Sequence, residues 1–179
     1  MQREQLKILL LQIRDDHKVR AEELESFARY SQLDVNQIDV LNVFDTPSFD
    51  SSVLEGYDAL YVGGASEANV LEPKIYPFVN DCISLIKFAG DTGIPTFASC
   101  FGFQLAVLAF GGEILSKDED YEMGSIPITL TNLATIDPVF SGTPDKFPAL
   151  SIHRQYALEL PAGLDLSLIH ISEPTRQIR

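Results

Sequence analysis

Cysteine is scarce in this sequence, which contains only Cys82 and Cys100 among its 179 residues. Two cysteines so far apart form neither a disulfide framework nor a Cys-x-x-Cys site. We therefore expect a reducing compartment, and the cytoplasm is the default location. Each thiol is then either a small buried apolar side chain or a nucleophile.

Long apolar runs are also missing. The run near the N-terminus extends only from Ile8 to Leu11, which is shorter than the apolar core of a secretory signal. No segment approaches the roughly 20 apolar residues of a membrane-spanning helix. The sequence also lacks a Gly-x-x-x-x-Gly-Lys nucleotide loop and any visible set of metal ligands. It therefore predicts no membrane association, no metal and no cofactor.

Positive charge is in deficit. Lysine and arginine total 13 against 26 aspartates and glutamates, for a formal net charge of −13. Such a surface repels phosphates, which argues against nucleic acids and anionic membranes as partners. Hydrophobic residues make up 45% of the sequence, enough for a core, and the length fits one compact domain.

The sequence does contain an alternation of short apolar strands and amphipathic helices. Strands are predicted at residues 6–13, 35–43, 59–62 and 95–99, and helices at residues 17–30, 76–89 and 101–110. This alternation predicts an open, mostly parallel sheet with helices on both faces. After Gly112, shorter strands at residues 113–115, 124–130 and 149–152 are separated by proline-rich loops and predict a small antiparallel section.

Cys100 lies between a predicted strand and a predicted helix. A sharp turn at such a position exposes a nucleophile, and it requires small neighbours such as Ala98 and Gly102. The positive end of the helix favours the thiolate form. The backbone N–H of Phe101 points to where an oxyanion would form. We therefore predict that Cys100 is a nucleophile, whereas Cys82 lies on an apolar helix face and is predicted to be core.

The residues around Cys100 resemble a known family. Residues 98–104 resemble the Gly-x-Cys-x-Gly-x-Gln elbow of class I (triad-type) glutamine amidotransferases, and residues 63–65 resemble their Gly-Gly-Pro oxyanion loop. Three later segments follow in the family's order: residues 121–124, residues 137–140, and residues 151–155 followed by residues 160–163. The resemblance covers about residues 6–165. Within the family, the chain resembles the stand-alone proteins that are similar to the amidotransferase domain of GMP synthetase. Ala98 and Ala65 are mild departures, and Gln155 stands where the family often has aspartate.

The resemblance implies a flavodoxin-like fold for residues 1–165 and a defined chemistry. Cys100 would attack the side-chain amide of glutamine, and the backbone N–H groups of Gly64 and Phe101 would hold the oxyanion. Ammonia would leave for a synthetase subunit or a fused domain, and water would release glutamate from the thioester. Three residues would contact the glutamine: Gly63, Gln104 and Gly124. Without the resemblance, Gln104 would be predicted to be a solvated helix residue.

The general base is harder to assign. The family's histidine is found in a later His-x-Glu segment, so His153 is expected to be structural or to lie at the edge of the pocket. No His-x-Glu follows it, because His170 and Glu173 do not have that spacing. Residues 166–179 resemble a translated sequencing adapter. We therefore expect the native sequence to stop near Asp165, with the family's last elements missing, apolar sheet surface exposed and little or no glutaminase activity.

Two other readings remain open. One is a γ-glutamyl hydrolase or peptidase with the same fold; Gln104 and the Asp137-Pro138 region favour the amidotransferase over it. The other is a non-catalytic regulatory relative with a vestigial elbow, and the intact Cys100 argues against that reading.

Overall fold

The computed structural model describes residues 2–116, 122–157, 159, 161–162, 164–165 and 167–169. The chain divides into two compact units, Met1–Gly111 and Gly112–Arg179. Tyr121, Gly163 and His170, which figure in the sequence predictions, lie outside the described residues.

The first unit is a four-stranded parallel sheet with three helices. Its strands are β1 (Ile8–Gln12), β2 (Ile38–Asn42), β3 (Ala59–Val62) and β4 (Thr96–Ala98), and its helices are α1 (His17–Ser31), α2 (Phe78–Thr92) and α3 (Phe101–Ala109). The strand order is β2-β1-β3-β4, and each neighbouring pair is parallel. This confirms the predicted alternation and the predicted α/β class.

The topology places the helices on both faces of the sheet. The β1-α1-β2 and β3-α2-β4 crossovers run in opposite directions along the sheet, so right-handed connections put α1 and α2 on opposite faces. Helix α3 packs beside α2. All five residues of β1 are buried, as expected for a strand covered on both sides. Because β1, β3 and β4 are parallel, their carboxyl ends lie at the same edge of the sheet. Ligand sites form at this edge in such sheets.

Several predicted boundaries differ from those in the structure, and for the starts of β2 and α2 the reason is local. Residues 35–37 form a 3₁₀ turn rather than the start of β2, because Asp34 and Gln37 close a capping box around it. Helix α2 begins at Phe78 rather than at residue 76, directly after Pro77. Proline is tolerated at a helix start but not further inside.

Aromatic side chains lie between α1 and the outer half of the sheet. Phe27 stacks on Tyr61 with ring centroids 5.3 Å apart, and Phe97 meets both rings edge-on. Phe97 lies on β4, at an edge of the sheet as far as the described residues extend, and its side chain is 56% exposed. Apolar sheet surface is therefore exposed at this position.

The second unit is built from antiparallel strands. They are β5 (Ile114–Ser116), β6 (Glu122–Leu130), β7 (Lys146–His153), β8 (Gln155–Ala157) and β9 (Leu168–Ile169). Strands β7-β6-β9 form one sheet and β5-β8 another. The predicted antiparallel section is confirmed, although β8 and β9 were not anticipated.

The Asp137 segment is a turn that the carboxylate itself closes. Its oxygens accept hydrogen bonds from Ser167 Oγ at 2.6 Å and Val139 N at 2.8 Å, and these two bonds lower the pKa of Asp137. Leu168 and Ile169 pair with the end of β6. The non-native origin suggested for residues 166–179 stays a prediction, as does the domain boundary at Asp165.

Candidate active site

Cys100 has a strained backbone at the junction of β4 and α3. Its φ is 53° and its ψ is −108°, and only Gln32 shares a positive φ among the non-glycine residues that the structure describes. Such a conformation costs about 1–3 kcal/mol and persists only where the surroundings enforce it. The cysteine is exposed. The turn therefore presents the thiol to solvent at the carboxyl edge of the sheet, as the predicted elbow requires.

Close backbone contacts enforce this turn. Gly102 N donates to Ser99 O at 2.9 Å and to Gly63 O at 3.2 Å, and Ser99 N donates to Val62 O at 3.0 Å. A Cβ atom added at Gly102 would lie 2.8 Å from the carbonyl oxygen of Val62. Glycine is therefore needed at position 102, because a side chain would push α3 away from β3.

The Gly63-Gly64 loop lies against Cys100. Gly63 N donates to Leu11 O at 3.1 Å, which fixes the loop to the end of β1. A Cβ atom added at Gly64 would lie 3.5 Å from Cys100 Cβ. The N–H groups of Gly64 and Phe101 have no acceptor among the described residues. Two backbone donors beside one thiol are what an oxyanion formed at that thiol would require.

Gln104 lies one helical turn after Cys100. Its N–H donates to Cys100 O at 3.1 Å. The residue is only 8% exposed, so the alternative of a solvated helix residue is wrong. Buried amides are usually hydrogen-bonded, and no side-chain hydrogen bond of Gln104 is found within the described part of the chain.

The sequence reasoning missed an ion pair beneath the Gly63-Gly64 loop. Arg14 Nε donates to Glu23 Oε1 at 2.9 Å, and Arg14 Nη1 donates to Ser66 Oγ at 2.8 Å. The Nη2 atom lies 3.0 Å from the position that a Gly64 Cβ would occupy. A signal was available, because Arg14 follows β1 closely and therefore lies at the carboxyl edge of the sheet.

Gly124 and His153 belong to the second unit. Gly124 lies on β6 with φ 148°, a conformation that favours glycine, and it is in register with Ser151. His153 ends β7 opposite Glu122 and is half-buried. The predicted glutamine contact of Gly124 and the non-basic role of His153 stay predictions.

Cys82 differs sharply from Cys100. It is fully buried on α2, which confirms its predicted place in the core. Burial, and to a lesser extent the Asp81 carboxylate, raises the pKa of its thiol far above the ordinary value. The thiol therefore stays protonated and inaccessible in the folded protein.

This difference predicts alkaline destabilisation. The unfolded Cys82 thiol loses its proton near pH 8.5, whereas the folded thiol retains it, so the free energy of unfolding falls as pH rises. Between pH 8 and pH 10 we expect a loss of about 2 kcal/mol from this group. Urea melts at both pH values measure it, with Cys82→Ala as the control. Equal losses in the two proteins would contradict the assignment.

The described residues contain neither a metal-binding cluster nor a membrane-spanning helix. No group of three or more His, Cys, Asp or Glu side chains there could hold a metal ion. None of the helices there has the length and hydropathy to cross a membrane.

Comparison with known proteins identifies the family. The family model for glutamine amidotransferase class-I matches residues 31–177. The glutamine-hydrolyzing GMP synthase of Tropheryma whipplei strain Twist is 30% identical over 141 residues, covering 75% of this chain and 25% of that protein. A γ-glutamyl-L-1-hydroxyisopropylamide hydrolase from a Pseudomonas species is 28% identical over 120 residues, covering 62% of this chain and 38% of that protein.

The fold is also that of solved structures. A glutamine amidotransferase from Thermotoga maritima superposes with a TM-score of 0.72 at 19% identity, covering 91% of this chain and 66% of that one. This confirms the flavodoxin-like α/β fold. The chain spans about a quarter of the length of the GMP synthase that it matches. On the strength of the family match, which covers most of its residues, the chain belongs to the class-I glutamine amidotransferases.

Proposed function

We propose that this protein takes ammonia from glutamine, with Cys100 as the nucleophile. The Cys100 thiolate attacks the side-chain amide carbon, the C–N bond breaks, and the nitrogen takes up a proton and leaves as ammonia. Water then attacks the γ-glutamyl thioester, the C–S bond breaks, and glutamate and the thiol are released. One observation carries the proposal: a strained, exposed cysteine lies beside the N–H groups of Gly64 and Phe101, which have no acceptor in the part of the chain that the structure describes.

The other predicted residues fit roles in holding the substrate. The buried amide of Gln104 supports a contact with the glutamine, and Gly63 fixes the loop through its hydrogen bonds to Leu11 and Gly102. Gly124 is proposed as a further contact on the strength of the resemblance alone. The ammonia acceptor is proposed to be a synthetase subunit or a fused domain, because the similar protein from Tropheryma whipplei is a GMP synthase.

Covalent capture tests the proposal more directly than turnover does. The elbow and the oxyanion donors suffice to position an electrophile at Cys100. A cytoplasmic location is part of the proposal, and the two unpaired cysteines support it.

A chloroketone analogue of L-glutamine, with a chloromethyl ketone in place of the side-chain amide, is the probe. We expect saturable labelling of Cys100 that L-glutamine slows, because both ligands occupy the same pocket. Peptide mass spectrometry locates the label, and the matching D-enantiomer is the control. Labelling that is linear in probe concentration and indifferent to glutamine would refute a glutamine site.

The γ-glutamyl hydrolase reading keeps some support from the Pseudomonas relative, which acts on a γ-glutamyl alkylamide by its name. The same assay separates the two readings. An amidotransferase should be protected by L-glutamine at lower concentrations than by a γ-glutamyl alkylamide, and a hydrolase should show the reverse order.

A further inference from the structure

We propose that Arg14, held by Glu23, is a positioning residue for attack on a carbonyl at Cys100. It would fix the Gly63-Gly64 loop so that the Gly64 N–H points at the developing oxyanion. It would also add a positive charge beside that oxyanion. The proposal rests on the proposed function, because it takes Cys100 to be the residue that is acylated.

The guanidinium is hydrogen-bonded to the loop at Ser66 and lies close to it at Gly64. Its Nη2 lies 3.0 Å from the Cβ position of Gly64, and the same position lies 3.5 Å from Cys100 Cβ. Arg14 and the thiol side chain therefore flank the same glycine. Nη1 reaches further along the loop and donates to Ser66 Oγ at 2.8 Å. The loop is hydrogen-bonded to Leu11 O at Gly63, before Gly64, and to Arg14 at Ser66, after it, so the Gly64 N–H has little freedom to turn away.

Glu23 accepts a hydrogen bond from the Arg14 guanidinium and lies against Gly63. Its side chain is 9% exposed, and its carboxylate oxygens lie 2.7 Å and 2.8 Å from the Cβ position of Gly63. Position 63 is therefore a glycine in part because the carboxylate occupies the space of a side chain. Oε1 accepts from Arg14 Nε, whereas Oε2 is buried without a hydrogen-bond partner among the described residues.

Stability alone does not explain this ion pair. Removing two charges from water is expensive, and replacing a buried pair by apolar residues is often neutral or stabilising. Here one carboxylate oxygen also lacks a partner, which adds to the cost. The position of this ion pair, against the Gly63-Gly64 loop and beside a candidate nucleophile, therefore points to a role in the chemistry there.

The main chain of Arg14 is fixed as well. Its carbonyl accepts hydrogen bonds from Arg20 Nε at 2.8 Å and from Asn42 Nδ2 at 2.9 Å. Asn42 Nδ2 also donates to Gln12 Oε1 at 3.0 Å. The guanidinium therefore extends from an anchored backbone at the end of β1. A charge that needs no reorganisation during the reaction is the kind that stabilises a transition state effectively.

Two small reagents separate this role from a structural one. p-Nitrophenyl acetate acetylates a thiolate through a tetrahedral oxyanion: the C–S bond forms, the ester C–O bond breaks and p-nitrophenolate leaves. Iodoacetamide alkylates the same thiolate by displacing iodide at a saturated carbon, with no oxyanion. Both rates are measured at Cys100 by mass spectrometry at pH 9, where an ordinary cysteine is mostly thiolate without help from a base.

Two variants test the proposal. Arg14→Met combined with Glu23→Gln removes both charges together and avoids leaving a lone buried ion. Ser66→Ala removes one tether from an exposed position, so its fold is not at risk. We expect the ratio of acetylation to alkylation to fall about 10- to 100-fold in the double variant, and a few-fold in Ser66→Ala. Arg29→Met, an exposed arginine on α1, is the matched control and should keep the ratio.

Unchanged ratios in both variants would overturn the proposal. A parallel fall of both rates in the double variant, with Ser66→Ala like the unmodified protein, would also overturn it, since access to the thiol rather than carbonyl attack would then depend on the pair. Neither reagent resembles glutamine. Failure of the chloroketone test would therefore refute the glutamine site and leave this comparison intact.

Discussion

Cys100→Ser is expected to abolish covalent capture of the chloroketone glutamine analogue, with the labelling rate falling by at least about 1000-fold. A serine hydroxyl fits the same turn, but it stays protonated near neutral pH and is a poor nucleophile without a base. The helix end and the two backbone donors would remain, so the loss isolates the contribution of the thiolate. Intact-protein mass and peptide mapping measure the adduct.

The matched control for this change is Cys82→Ser. That thiol is buried in α2 and protonated, so its removal should leave the labelling rate at Cys100 unchanged after correction for any unfolded fraction. Labelling that persists in the Cys100 variant and disappears in the Cys82 variant would show that the nucleophile was assigned to the wrong cysteine.

Gly102→Ala is expected to lower the free energy of unfolding by about 2–3 kcal/mol, within the usual range for overpacking. The new methyl group would lie 2.8 Å from Val62 O and from Val62 Cγ1. A backbone carbonyl in β3 cannot move aside cheaply, so α3 must shift. That shift would lengthen the hydrogen bond from residue 102 to Gly63 and draw the loop away from Cys100.

Two measurements check this result. Urea denaturation gives the loss of stability, and acetylation of Cys100 by p-nitrophenyl acetate should fall by about 100-fold for a displacement near 1 Å. Gly93→Ala is the control, since no atom lies within 4 Å of its Cβ position and its φ of 73° costs some stability. Its acetylation rate should be unchanged. Equal acetylation by the Gly102 variant would show that the contact with β3 is not needed for the elbow.

Much of the first unit could be predicted because its signals are local. β3 matches its predicted range, and the strand-to-helix junction at Cys100 could be inferred from small residues on either side of it. β2 was predicted too long, since a capping box between Asp34 and Gln37 competed with an apolar pattern. β8 and β9 have three and two residues, too few for any periodicity to appear.

The residues of the candidate site likewise fall into those with a local sequence signal and those without one. Cys100 and Gly102 lie in one continuous motif, and their geometry agrees with it. The ion pair between Arg14 and Glu23 joins a loop to a helix, and neither residue type is unusual in its own segment. Its proximity to Gly64 depends on how β1 and β3 align, which only the tertiary structure shows.

The positive φ of Cys100 also bears on attempts to make this protein more robust. Glycine adopts that conformation freely, so glycine at position 100 would relieve about 1–3 kcal/mol of strain and remove the thiol. A search for thermostable variants that selects on folding alone would therefore favour the loss of the nucleophile. Screens of this chain need a chemical readout at position 100 beside any melting temperature, because the two properties are opposed at that residue.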